Sequence, residues 1–395
     1  MRVSDRVSAI TPSVTLSINS KALAMRKQGI AIQSLAVGEP DFPTPAHICQ
    51  AAKDAIDQGF TRYTAVAGIP ELRQACADYF ASEHGVRVPA EAIVVGAGGK
   101  HCLYTFFQAT VNPGDQVLIP SPYWLSYPDM VQLAGGEPVF IPTKAQDAFK
   151  VTPAMLDPKL TPKTRILVLN SPSNPTGSVY TAKELDALIE WAIDHDLIVL
   201  SDEIYEQLVY TGTKNASALP WFAKKPDNIA IANGLSKSFA MTGWRMGFLA
   251  THPDCIKKMA ALMGHCTSNI CSITQKAALA ALTGSRDCIE EMRKAYVRRR
   301  DLAYAIVQTW PDVICPKPDG AFYLFADVHA YYSDRIPDST ALCSYLLDHA
   351  HVALVPGAAF GDDNCIRFSY AVDDAALLAA FERVGSALLS LRNHG

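Results

Sequence analysis

Through the middle of the chain, short apolar runs alternate with stretches of helical period. The runs cover 92–95, 116–119, 137–141, 165–169, 197–200, 228–232 and 247–250, and segments 100–110 and 182–195 between them repeat their apolar positions as helices do. Short, nearly continuous apolar strands separated by helices predict an α/β fold built on a mostly parallel, seven-stranded sheet. A long helix is predicted over about 286–308. Beyond it the pattern changes: an apolar run ends near Phe325, 339–349 reads as helix, and 352–355 and 366–370 read as strands. This predicts a smaller α+β unit, with the stretch up to Pro40 packed on it.

Three of the predicted strands run directly into polar segments marked by Gly or Pro. These are Gly96-Ala97-Gly98-Gly99-Lys100, Asn170-Ser171-Pro172-Ser173-Asn174-Pro175-Thr176-Gly177 and Ser201-Asp202-Glu203-Ile204-Tyr205. In open α/β sheets ligands bind beyond the carboxyl ends of the strands, so the chemistry is expected where these segments meet.

Composition narrows the class of protein. At 395 residues the chain exceeds what one core commonly serves, and a formal net charge of -4 argues against nucleic acid or an anionic membrane as partner. No apolar run is long enough to span a bilayer, and the first 27 residues lack the layout of a secretory signal. Ten cysteines are scattered without a CxxC pair, which predicts reduced thiols of a cytoplasmic protein. Cys266 and Cys271, the closest pair, are expected to be small core residues.

Among the polar segments, glycines 96, 98 and 99 sit between a strand and a helix start. There they serve either as a plain tight turn or as a cradle of free N–H groups for an anion. The spacing matches neither GxGxxG nor GxxxxGK[ST]. Lys100 places a cation in the first helical turn, against the helix dipole, at a cost of roughly a few tenths of a kcal/mol. A phosphate or a substrate carboxylate would offset that cost; a solvated surface lysine is the plainer reading. Asp202, at the mouth of a buried strand, reads as a ligand or as a helix N-cap, and Tyr205 lies three residues on.

The segment Asn233-Gly234-Leu235-Ser236-Lys237-Ser238-Phe239-Ala240-Met241-Thr242-Gly243-Trp244-Arg245 is the most specific. A lysine beside apolar residues at a strand end loses hydration, its pKa falls, and its neutral amine can add to an aldehyde. Arg245, eight residues on, supplies a cation with a geometry suited to phosphate.

With these motifs in order, the chain resembles a fold-type I, class I aminotransferase dependent on pyridoxal 5′-phosphate (PLP), in the aspartate/prephenate branch. Gly38-Glu39-Pro40-Asp41-Phe42, Tyr63-Thr64-Ala65-Val66-Ala67-Gly68, Ser121-Pro122-Tyr123-Trp124 and Arg367-Phe368-Ser369-Tyr370-Ala371 extend the likeness over nearly the whole length. The resemblance implies an N-terminal arm and part of the small domain over 1–44, a large PLP-binding domain over 45–298 and a small C-terminal domain over 299–395. It implies that Lys237 forms the Schiff base and later serves as general base. Asp202 would pair with the pyridine nitrogen, and Tyr205 and Asn174 would bond the phenolic oxygen. Trp124 would stack on the ring, and Gly98, Gly99 and Arg245 would hold the phosphate. Many relatives carry serine where this chain has Gly234, so Ser236 would supply that contact only in part. Tyr63 would reach the phosphate of a neighbouring subunit, which implies a homodimer with shared active sites.

For the substrate, Arg367 would clamp the α-carboxylate, with Gly38, Asn174 and Trp124 beside it, and Lys100 would meet a distal carboxylate. The implied reaction is ping-pong transamination of L-aspartate with 2-oxoglutarate, giving oxaloacetate and L-glutamate, without a metal. Prephenate, or secondarily aromatic amino acids, are the alternative substrates, and a PLP-dependent β-lyase is the alternative chemistry. An effector-sensing module of a transcription regulator would need an added DNA-binding domain, for which a chain opening almost at the arm is expected to lack room. His101, Cys102 and His265 are expected to have packing or surface roles.

Overall fold

The structure, a computed structural model, describes residues 2–8, 10, 14–212 and 215–393. Its strands are β1 (Gln33–Ser34), β2 (Ile93–Gly96), β3 (Gln116–Ser121), β4 (Glu137–Pro142), β5 (Thr164–Asn170), β6 (Ile198–Asp202), β7 (Ile229–Gly234), β8 (Gly247–Ala250), β9 (Tyr323–Asp327), β10 (Val352–Ala353), β11 (Val355–Pro356) and β12 (Cys365–Ser369). Seven of them form one sheet in the order β2-β8-β7-β6-β5-β3-β4. All run the same way except β8, which is antiparallel to both neighbours. The predicted mostly parallel sheet is thus observed, with strand ends within about two residues of the apolar runs.

Because crossover helices cover both faces, the central strands are buried throughout. Ile166, Leu167, Leu169, Val199 and Leu200 expose 2% or less, which is why they read as unbroken apolar runs and not as alternating ones. The helix Ala182–Asp194 between β5 and β6 starts at a capping box. Glu184 N–H donates to Thr181 Oγ1 at 3.3 Å, and Thr181 N–H donates to Glu184 Oε2 at 2.7 Å. Such a cap fixes where the chain leaves the β5 loop, and so the path of Asn170–Gly177. Three cis peptide bonds, Ser121–Pro122, Ser171–Pro172 and Asn174–Pro175, shape the loops after β3 and β5.

A second, antiparallel sheet has the order β11-β12-β9, and β1 pairs with β10 in parallel. The predicted single strand at 352–355 is therefore divided. Val352 and Ala353 pair with the N-terminal segment, whereas Val355 and Pro356 pair with β12, so the strand changes partner at Leu354. One buried cluster runs from Ile18 and Leu35 through Tyr323 and Phe368 to Leu388, joining the start of the chain to its end. Ser369 N–H donates to Leu35 O at 2.8 Å across the same junction.

Cys266 and Cys271 are exposed, contrary to the expectation for them. Cys266 ends the helix Pro253–Cys266 and Cys271 directly precedes the helix Ser272–Thr283, so both stand at a surface turn outside the apolar stripes. All ten cysteines are free thiols. Among the described residues no helix is long and apolar enough to cross a membrane.

Candidate active site

Five parallel strands of the large sheet point their ends at a single cavity of about 530 Å³, and β12 of the small sheet adds Arg367 to its wall. Gly99 and Lys100 reach it from the loop after β2, Trp124 from that after β3, and Asn174 from that after β5. Asp202 ends β6, Tyr205 follows it, and Ser236 and Lys237 follow β7. Gly38, Arg245 and Arg367 complete the predicted residues in the wall. Two predicted residues lie outside it. Gly98 sits one residue behind the lining, and Tyr63 is 90% exposed on the surface of the chain.

The charges in the wall are unbalanced. Lys100, Lys237, Arg245 and Arg367 face one carboxylate, Asp202, and none of the four cations forms an ion pair among the described residues. Arg367 is buried and Lys237 partly so, and buried cations are normally paired; with Lys100 and Arg245 exposed at the same wall, the cavity is suited to receive anions.

Arg367 shows the imbalance most sharply. It is 6% exposed on β12; one guanidinium nitrogen donates to Asn174 Oδ1 at 2.9 Å and another to Ala36 O at 2.8 Å. Its Nε has no partner although buried, and the guanidinium lies 4.5 Å from the Tyr323 ring centre. Neutral acceptors hold the fork in place and leave its charge for a ligand. Burial lowers its pKa, yet an arginine stays charged under any working condition.

Lys237 donates to Gly38 O at 2.6 Å and lies 5.7 Å from the Tyr205 ring centre. Burial pulls its pKa down to about 8; Arg367 and Arg245 act the same way, and Glu39 and Asp202 act against them. About a tenth of the amine is then neutral at pH 7, against well under a hundredth at the ordinary value, as a nucleophilic amine requires.

Asp202 accepts from Tyr127 Oη at 2.7 Å and from Ile204 N–H at 3.3 Å. Burial nevertheless pushes its carboxyl up to about 6, because these donors and Lys237 only partly replace lost hydration. Tyr205 Oη lies 2.7 Å from Tyr323 Oη. Lys100 lies 4.9 Å over the Trp124 ring, and its pKa is lowered by partial burial and by Arg245, with Asp129 opposing.

Gly98 caps the helix Gly99–Thr110 at φ +88, and a Cβ there would lie 2.5 Å from Arg245 Nη2. Gly234 and Gly247 face each other in register across β7 and β8, and a Cβ on Gly247 would meet Gly99 N at 2.2 Å. The glycines thus let Arg245 and a helix N-terminus converge on one spot. A Cβ on Gly234 would be 3.0–3.2 Å from Ile204, Gly247 and Met246, so a serine there would be crowded in this chain.

Sequence reasoning did not find Tyr127 or Tyr323. Tyr127 lies three residues after Trp124, a spacing that could have drawn notice; Tyr323 belongs to an apolar strand and carries no such signal. Cys102 is buried and His265 is exposed, and His101 Nδ1 accepts from Ala97 N–H at 3.2 Å.

This combination defines a fold-type I transferase: a mostly parallel sheet ending in an anion-seeking cavity, with an activated lysine opposite a buried carboxylate. The family profile "Aminotransferase class I and II" matches residues 31–384. The chain is 43% identical over 387 residues to the aspartate aminotransferase of Geobacillus stearothermophilus, covering 97% of this chain and 98% of that one. It is 42% identical to the aspartate/prephenate aminotransferase of Cereibacter sphaeroides, covering 97% of each. The crystal structure of the Rhizobium meliloti aspartate aminotransferase superposes with a TM-score of 0.94 at 39% identity, covering 98% of this chain and 99% of that one. The chain belongs to the class I and II aminotransferases, and it is a PLP-dependent enzyme.

The cavity suits that cofactor on its own chemistry. The Gly98–Arg245 cradle matches a phosphate dianion, and Lys237 matches an aldehyde. A protonated ring nitrogen would supply the positive partner that the buried Asp202 carboxylate lacks.

Proposed function

We propose that this enzyme transfers the amino group of L-aspartate to 2-oxoglutarate, giving oxaloacetate and L-glutamate in a ping-pong cycle. The observation that carries this reading is the four-to-one excess of unpaired cations over carboxylates in one cavity. A phosphate and a dicarboxylic substrate together bring the negative charge that such a wall calls for.

Within that reading Arg245, Gly98 and Gly99 hold the phosphate, with Ser236 beside them. Asp202, kept in place by Tyr127, holds the proton on the ring nitrogen, and Trp124 covers the ring. Tyr205 and Asn174 bond the phenolic oxygen. The bound cofactor supplies an aldehyde to carry the amino group and a ring that draws electrons from the substrate Cα. Arg367 and the Gly38 backbone seat the α-carboxylate, which fixes how the Cα–H bond stands against the ring. Lys237, once its amine is free, would take the Cα proton and return it to the cofactor's aldehyde carbon, two atoms along. Its pKa of about 8 suits both tasks, since an amine at its ordinary value near 10.5 would be almost wholly protonated at pH 7.

Lys100 selects the substrate by meeting the distal carboxylate. Lys100→Ala is expected to lower kcat/KM for aspartate by about 10- to 100-fold, the worth of one charge-assisted hydrogen bond, and to leave alanine turnover nearly unchanged. Single-turnover spectra with aspartate, glutamate, alanine and phenylalanine check this, and equal losses for aspartate and alanine would refute the role. Prephenate also has a second carboxylate for Lys100 to meet, and one of the relatives at 42% identity is named for both substrates; the cofactor's amino form mixed with prephenate tests that reading in the same assay.

The same reading assigns 45–298 to the PLP-binding domain and 299–395, with the arm up to 44, to a smaller domain carrying Arg367. Tyr63, 90% exposed in the single chain, fits a homodimer in which it reaches the phosphate of a second copy. The ten free thiols fit a reducing compartment, the cytoplasm.

A further inference from the structure

Behind the catalytic cavity, on the far side of the Asp202–Tyr205 turn, a second cluster of titratable groups takes no part in the reaction. The helix Pro70–His84 ends there and is closed by Gly85 in the left-handed region, which leaves His84 facing Glu203 and Glu206. One potential ligand atom from each of the three lies within 4.8 Å of the others. His84 Nε2 stands 2.8 Å from Glu206 Oε2. Glu206 Oε1 accepts from Tyr79 Oη and, at 2.6 Å, from Asn233 Nδ2. Glu203 Oε1 accepts from Ser201 Oγ at 2.8 Å and from Ala218 N–H at 2.9 Å.

Glu203 is only 1% exposed; the Ser217 hydroxyl stands beside its carboxylate, yet Oε2 makes no hydrogen bond of ordinary geometry. Asn215 Oδ1 is likewise buried and without a partner. Asn215 lines, with His84, Glu206, Gln207 and Arg293, a crevice of about 190 Å³ that opens onto the cluster. Two carboxylates buried side by side repel, and a cation between them would relieve that repulsion and give Oε2 a partner.

We propose that His84, Glu203 and Glu206 bind one divalent transition-metal ion of the zinc class, at a site separate from the catalytic cavity. One imidazole nitrogen and two carboxylate oxygens form a donor set that suits Zn²⁺, with Asn215 Oδ1 or water completing the shell. The ion ties the end of the helix Pro70–His84 to the turn that carries Asp202 and Tyr205.

The test uses PLP-loaded enzyme dialysed first against a chelator and then against metal-free buffer. Zinc is measured by equilibrium dialysis, and zinc-soaked crystals are examined by anomalous diffraction at the zinc edge. The expected result is one zinc per chain, with a peak about 2.0–2.2 Å from a His84 ring nitrogen and from oxygens of Glu203 and Glu206. Zinc at about 100 times its Kd is expected to raise Tm by several degrees. Glu203→Gln is expected to lose the bound zinc and the Tm rise, and Cys266→Ser/Cys271→Ser to keep both. A peak only at thiols, zinc retained by Glu203→Gln, or zinc lost in the thiol variant would overturn the proposal. Should Glu203→Gln fail to fold, the position of the anomalous peak in the unsubstituted enzyme decides alone.

Discussion

Replacing Lys237 by alanine is expected to lower turnover of aspartate by on the order of 10⁴-fold, the upper range for losing a positioned general base. The cavity offers no second amine in its place. Lys100, the other lysine in the wall, is committed to the Trp124 face and the helix start, and its charge is needed for the substrate. Lys237→Arg should fail almost as badly: the guanidinium keeps the charge, but it neither releases a proton nor adds to an aldehyde near neutral pH. Rapid-mixing spectra of each variant, loaded with PLP and mixed with aspartate, report the step directly. The amino acid should still bind, because Arg367 and Lys100 are intact, while conversion to the cofactor's amino form should nearly stop. Conversion within tenfold of the unsubstituted rate would show that another group moves the proton.

Arg367→Lys is expected to cost about 10² to 10³-fold in kcat/KM, with most of the loss in KM. Lysine retains a positive charge but cannot hold Asn174 Oδ1 and Ala36 O while presenting two parallel donors to a carboxylate. The loss should be similar for aspartate and alanine, since both carry an α-carboxylate. This separates Arg367 from Lys100, whose removal should discriminate between them. Steady-state kinetics with the two amino acids check the contrast. An Arg367→Lys enzyme that loses aspartate turnover alone would place the distal carboxylate, not the α-carboxylate, at this residue.

These expectations rest on residues of unequal visibility in the sequence. Lys237, Asp202 and the 96–100 turn were legible because each closes an apolar run, and strand ends in an α/β sheet face one side. The whole large sheet was legible for the same reason: strands buried on both faces appear as continuous apolar runs, which few other elements imitate. Arg367 sits in an apolar strand, where spacing alone suggests only an internal ion pair. Its partner Asn174 is 193 positions away, so its function depends on two sheets closing on one cavity. The pKa of Lys237 was illegible in its size for the same reason. Burial in the closed cavity sets it, and Arg367, which acts the same way, is 130 positions distant.

Tyr127 and Tyr323 show what pattern leaves out altogether. Both are buried aromatics that fit the core, and only their hydroxyl contacts, to Asp202 and Tyr205, distinguish them from packing residues. The divided strand at Leu354 is another case, because pairing partners and not propensity ended it. Cys266 and Cys271 were misjudged because cysteine is so often buried that its type outweighed its place at a turn.

The central claim is that Lys237 is the residue that carries the cofactor, and borohydride reduction of the PLP-loaded enzyme tests it most directly. Reduction makes the bond between cofactor and lysine permanent, so digestion and mass mapping read the attachment point. The account requires a single labelled peptide with the cofactor's mass on Lys237, and loss of that label in Lys237→Ala. A label on Lys100 or on any other lysine would contradict it.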